Sequence, residues 1–438
     1  MLHDPLDALL LAQDEITQRR ESGFVIEPDV TGPPTDRDDA ERILARLTRA
    51  PRRADWPYIE PESLRDIERA AGLDPDAAEV PAHSTPDRHL GAWLGRIAGC
   101  NVGKPVEEGT IWTPDALRHY LVLADAYPLR DYIPALDPMP AGVQLRPNWP
   151  HTTLGNVDGS DRDDDIDYPI LGLHLLEEHG TALQTDQIAD AWLAYLPYAR
   201  VYTAERAAYL NLLHGIPPSE TAERRNPWRE WIGALIRGDV FGWTLPGRPR
   251  AAARLAYRDA VLSHRGNGIY GGMWSAALAA VALVEDDVDR VVARSIEVVP
   301  RRSRLAEAVE FVRTLRTEGT GWDAALNAIR ERYGSYSWVH TVNNAALITA
   351  GLLWSENDLA VGVGNTVMGG WDTDSNAATV GSVLGGLLGA HRLTPQLIEP
   401  LHDRTRSAVF GQDESRISDL ADRTCTLAER FASEAEVR

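Results

Sequence analysis

Two short runs hold acids at a spacing that could do chemistry. DRDDDIDY, Asp161–Tyr168, places carboxylates at Asp161, Asp163, Asp164, Asp165 and Asp167. WDTDS, Trp371–Ser375, sets Asp372 and Asp374 one residue apart, adds a hydroxyl at Ser375, and is followed by small apolar residues. Each run stands where the pattern starts a helix. A helix N-terminus attracts negative charge by only about 0.3–1 kcal/mol per group. Three consecutive carboxylates repel one another more than that offsets, and acids beside a buried apolar segment are costly unless compensated. One reading is a pair of solvated acidic turns. The other is two helix starts that converge on divalent cations. Hard cations such as Mg²⁺, Mn²⁺ or Ca²⁺ take oxygen from carboxylates, hydroxyls and water. A pair of them about 3.5–4 Å apart would engage five or six carboxylates.

Two further segments could complete such a site. GAWLGRIAGCNVGKPVEE, Gly91–Glu108, has glycines at 91, 95, 99 and 103. On a helix these form a bare stripe for a close neighbour, and the Gly-Lys-Pro turn after it presents Glu107. The order is helix then loop, which is not a dinucleotide fingerprint. SYSWVHTVNNAALITAGLLW, Ser335–Trp354, sets His340, Asn343 and Asn344 at the start of an apolar helix, spaced i, i+3 and i, i+4. They read as caps and supporting hydrogen bonds, or as substrate contacts. The aromatics Tyr132, Trp149, Tyr333, Tyr336, Trp338 and Trp371 are candidates for a leaving-group pocket.

The elements that must position these residues read as helices. Period-3.6 patterns predict helices over 88–102, 166–179, 185–196, 202–212, 218–237, 249–264, 268–284, 288–298, 303–316, 322–333, 340–353, 356–368, 375–391, 395–400 and 414–434. Leu305, Val309, Val312 and Leu315 make the clearest stripe. Alternating strands are almost absent. The Pro/Gly/Asn-rich stretch 128–162 reads as a long loop, and a loop of that length in a compact domain points to function. Pro/Ser/Thr breaks at Thr31–Asp36 and Val80–Arg88 mark off residues 1–88 as a helical N-terminal extension. Residues 89–438 form the main all-α domain. The chain has 438 residues, with 65 acids against 44 bases and a net charge of -21. That balance repels nucleic acid and anionic membranes. Two cysteines, Cys100 and Cys425, are too few for a disulfide framework. The N-terminus lacks a signal-peptide pattern, so a cytoplasmic monomer or homodimer is expected.

GCNVGKPVE, DRDDDIDY and GGWDTDSNAATVGS, in that order, resemble the signatures of the ADP-ribosylglycohydrolase family, which includes the dinitrogenase reductase-activating glycohydrolases. SHRGNGIYGGMWSAALAAVA and VHTVNNAAL also match family segments, so the resemblance spans roughly 90–392. It implies a compact orthogonal multi-helix fold and a binuclear Mg²⁺ or Mn²⁺ centre. The implied metal ligands are Asp163, Asp164, Asp165, Asp372, Asp374 and Ser375. Glu107, Asp164 and Asp372 carry the implied catalysis, and His340, Asn343, Gly369, Gly370 and Trp371 the implied substrate contacts. The implied reaction is hydrolysis at the anomeric carbon of an ADP-ribosyl or related ribosyl substrate. The alternative is a degenerate member that binds ADP-ribose without cleaving it. The chain departs from the family's Thr-Asp-Asp-Thr and Gly-Gly-Asp-Thr-Asp-Thr patterns. Asp163 and Ile166 replace threonines, Trp371 interrupts the second motif, and Ser375 replaces its last threonine.

Overall fold

The computed structural model describes residues 4–30, 32–74 and 79–436. Thr31, the first residue of the break at 31–36, lies outside the described residues, as do 75–78 within the expected extension. The extension carries α1 (Ala8–Glu21), α2 (Arg37–Leu47) and α3 (Leu64–Ala71). The larger body opens with α4 (Pro86–Gly103), α5 (Pro114–Leu123), α6 (Asp164–His179), α7 (Thr185–Tyr195) and α8 (Thr203–Leu213). It continues through α9 (Asp239–Trp243), α10 (Pro249–Ala260), α11 (Asn267–Ala282), α12 (Val288–Ser295), α13 (Arg304–Thr317) and α14 (Trp322–Tyr333). It ends with α15 (Thr341–Leu353), α16 (Leu359–Met368), α17 (Thr373–Leu388), α18 (Pro395–Ile398) and α19 (Ile417–Glu436). A three-residue antiparallel pair, β1 (Arg404–Arg406) with β2 (Glu414–Arg416), is the sheet among the described residues. The fold is all-α, as the periodicity predicts.

Every residue of α11, α15 and α17 is buried. Helices that are apolar or small all round belong at the centre of a large core, and these three form it. Helix α4 runs antiparallel to α17. Gly91, Gly95, Gly99 and Gly103 face the carbonyls of Gly385, Gly381, Ala377 and Thr373, with no room for a Cβ at any of them. Gly381 and Gly385 return the contact onto the backbone of Gly95 and Gly91. The expected bare stripe is therefore a backbone-to-backbone seam. It sets the end of α4, which leads to Glu107, beside the start of α17, which bears Asp372 and Asp374. Thr373 closes the seam, its hydroxyl donating to the Gly103 carbonyl at 2.8 Å.

The structure departs from the expected helices at 218–237, at α5, at the short α9, and at 414–416, which is strand β2 instead of helix. The expected helix over 218–237 is a set of turns that ends in a 3-10 turn, Ile232–Arg237. Arg225 is left-handed (φ 51°) and Pro227 lacks an N–H. The Asn226 amide spans to the carbonyls of Ala204 and Ser263, so the segment is tied outward instead of coiling. Helix α5, not expected, has the start signals of a helix: Thr113 caps the Ala116 N–H and Pro114 opens the first turn.

The extension is fastened by buried charge. Glu15 of α1 grips Arg229 with both oxygens, at 2.7 and 2.9 Å. Glu60 holds Arg304, whose other contacts include Glu230 at 2.6 Å. Gln18 of α1 and Ser22, which caps its C-terminus, donate to the same Glu230, at 2.9 and 2.7 Å.

Candidate active site

Asp163 caps α6, its Oδ1 accepting the Asp165 N–H at 2.9 Å. Its Oδ2 lies 2.6 Å from the ammonium of Lys104. Burial works to raise this carboxyl, but Lys104 and Arg162 outweigh it and hold it down at about 2. Asp165 is gripped by buried Arg96 at 3.1 Å, and its other oxygen accepts the Ser375 hydroxyl at 3.1 Å. That last bond joins the two acidic runs directly. Asp167 turns aside, paired with Arg162 at 2.6 Å and accepting the Ala408 N–H.

The second run is positioned by α15 and by a strained turn. Asn344 accepts the Asp372 N–H at 3.4 Å and the Asn376 amide at 2.6 Å. Trp371 is left-handed (φ 61°) after Gly370 (φ 74°), a conformation that costs a non-glycine residue about 1–2 kcal/mol. The reversal feeds Asp372 and Asp374 into the start of α17. Burial, and then the Asp163 charge, push the Asp374 carboxyl up to about 6. Burial and the neighbouring acids raise Asp164 and Asp372 well above the carboxylate range.

Glu107 follows the 3-10 turn Lys104–Val106 and faces both runs. Burial and Asp374 raise its carboxyl, and Arg146, 3.5 Å away, opposes them. Glu107, Asp372 and Asp374 each offer an oxygen within 4.8 Å of the others. Cys100 Sγ, Asp163 and Asp374 make a second such group beneath. Among the described residues, no basic side chain forms an ion pair with Asp164, Asp372 or Asp374, whereas Asp163, Asp165 and Glu107 each have one. Such a donor set fits a hard divalent cation, because an added positive charge relieves the repulsion that raises these carboxyls.

These acids floor a cavity of about 1040 Å³. Its wall includes Trp231, Trp338, Tyr202 and Ile232, and arginines 146, 162, 200 and 406 stand around it. The ADP-ribosylglycohydrolase family model matches residues 81–436. The chain belongs to the ADP-ribosylglycohydrolase family. Members of this family are glycohydrolases. No curated protein matches the chain. A solved structure described as an ADP-ribosylglycohydrolase-related protein complex is similar at 17% identity. The match covers 78% of this chain and 98% of that one, with a TM-score of 0.46.

Within this ADP-ribosylglycohydrolase fold, the seven acids and hydroxyls expected at the centre all line the cavity: Glu107, Asp163, Asp164, Asp165, Asp372, Asp374 and Ser375. The five expected substrate contacts do not. His340 is fully buried as the cap of α15, its Nδ1 accepting the Val342 N–H, and burial pushes it down to about 3. It faces Glu21 and Glu230 of the extension interface. Asn343 donates to the Ser337 carbonyl. Trp371 is buried behind the floor with the Arg330 guanidinium 4.6 Å over its ring. Gly369 packs on Leu347 and Gly370 on the Trp112 carbonyl. Trp371 is not among the residues that line the cavity. Tyr132 is spent on the Leu397 carbonyl and Trp149 is surface-exposed, whereas Trp338 does line the cavity. Sequence reasoning missed Lys104, Arg146, Arg162 and Trp231. The signal for Lys104 was present: an aspartate in a threonine's place adds a charge that needs a partner.

Proposed function

We propose that this chain is a divalent-cation-dependent glycohydrolase. It cleaves an N- or O-glycosidic bond at the anomeric carbon of an ADP-ribosyl or related ribosyl substrate. The convergence of Glu107, Asp372 and Asp374 within 4.8 Å at the floor of the cavity carries this reading. A cation held there by Asp164, Asp372 and Asp374 would orient a sugar diol and acidify a nearby water.

The chain's own residues supply the rest. Glycoside cleavage passes through a sugar ring with oxocarbenium character, and the carboxylates of the floor stabilise that positive charge. Burial and the Asp374 charge raise the Glu107 carboxyl well above its ordinary value, which suits it to take and return a proton at the reacting oxygen. Trp231, Trp338 and Tyr202 offer apolar faces for a leaving group and exclude water around it. Asn344 and the Trp371 turn fix the backbone from which Asp372 projects.

The test is a product screen for free ribose, ADP-ribose or base across ADP-ribosylated protein, nucleoside and other riboside substrates. Asp372→Ala and Asp374→Ala are each expected to lower turnover by more than about 100-fold while the far-UV CD spectrum is retained. Unchanged turnover in either variant would sink the mechanism.

A further inference from the structure

Lys104 is a buried ammonium set among acids that the reading above assigns to a cation centre. It is 5% exposed, lies 2.6 Å from Asp163 Oδ2 and donates to the Arg162 carbonyl. Both oxygens of Asp163 are engaged, Oδ2 by Lys104 and Oδ1 by the Asp165 N–H. Asp165 is likewise engaged, by Arg96 on one oxygen and the Ser375 hydroxyl on the other. The Cys100–Asp163–Asp374 group therefore shares its middle carboxylate with an ammonium already in place. On the other side, Asp164, Asp372 and Asp374 form no ion pair with a basic side chain among the described residues, and Glu107 lies within reach of Asp372 and Asp374. The centre is divided: one half is neutralised by the chain itself and the other is open.

Resting on the proposed function, we propose that Lys104 is a resident cation of this centre. It holds Asp163, one of the ligands that the family resemblance implies for two divalent ions, so the chain loads one divalent cation per molecule. The charge balance agrees. Asp163 replaces a neutral threonine of the family motif and adds one negative charge, which Lys104 cancels locally. A second dication beside that ammonium would meet like charge at close range, with its carboxylate already taken.

The test measures Mn²⁺ bound per chain after dialysis, by elemental analysis, and the Mn²⁺ EPR spectrum of the loaded protein. Wild type is expected to hold one equivalent with an uncoupled six-line spectrum. Lys104→Met is expected to raise this to two equivalents with an exchange-coupled spectrum. The double variant Asp163→Thr/Lys104→Met, which leaves no unpaired buried charge, is expected to do the same and covers the case in which the single variant fails to fold. Two equivalents in wild type would overturn the role of Lys104 and leave the proposed function standing. One equivalent in both wild type and the folded variants would also overturn it. No bound Mn²⁺, together with riboside hydrolysis that persists in EDTA, would remove the proposed function itself.

Discussion

At the scale of residues, the site is a set of carboxylates held closer together than they would choose in water. Asp374, pushed up to about 6, shows the consequence. Its folded-state value lies above its unfolded value of about 3.9. The stability tied to its proton is therefore fully present below pH 4 and lost as pH rises through 6. The metal-free protein is expected to lose melting temperature across that window. The gain on adding Mn²⁺ should grow across the same window, both read by differential scanning fluorimetry; a flat response would count against the cation centre. The acids themselves were legible in the sequence, because clustered like charges at two helix starts demand a partner. Direction was not. His340 and Asn344 share a helix face by spacing, yet Asn344 reaches Asp372 while His340 faces the extension. Trp371 has a left-handed backbone and its ring does not line the cavity, and composition carries no trace of either.

At the scale of elements, the α4–α17 seam aligns the two halves of the floor. Gly95→Val would drive a side chain into the Gly381 backbone. Overpacking of this kind costs about 1–3 kcal/mol or more. Turnover is expected to fall further than the lost melting temperature explains, because Glu107 would shift relative to Asp372; steady-state kinetics below the melting point checks this. The seam was readable from glycines four apart. The failed helix over 218–237 was not, because Asn226 finds its carbonyl partners on α8 and near α11, far away in sequence. Glu21, at the end of α1, offers a separate test. Burial raises its carboxyl to about 7. Glu21→Gln, which keeps an acceptor for the Ser337 N–H, is expected to raise the melting temperature at pH 8 and leave it unchanged at pH 4.

At the scale of the whole molecule, the first three helices pack on the later ones through apolar contacts and buried charge. Glu15–Arg229 and Glu60–Arg304–Glu230 are buried pairs. Removing one partner of such a pair costs about 3–5 kcal/mol. Glu15→Ala is thus expected to lower stability by that order in chemical denaturation. The backbones of Trp231 and Val339, both lining residues of the cavity, adjoin Glu230 and His340 in this interface. The helical class was visible in the period of the apolar residues. The fastening was not, because it needs partners about 200 residues apart. Among the described residues no helix is long and apolar enough to cross a membrane.

The seam has a consequence for how this chain can change over evolutionary time. Where two backbones touch, there are no rotamers to adjust and no side chains to trade. The seam is thus poorly suited to gradual change, because any side chain larger than hydrogen at its glycines meets backbone. Arg146, Pro147 and Asn148 come instead from the loop at 128–162, whose side chains at the cavity can be exchanged more freely than a backbone seam. New substrates for this scaffold should therefore arise through its loop and not through its motifs.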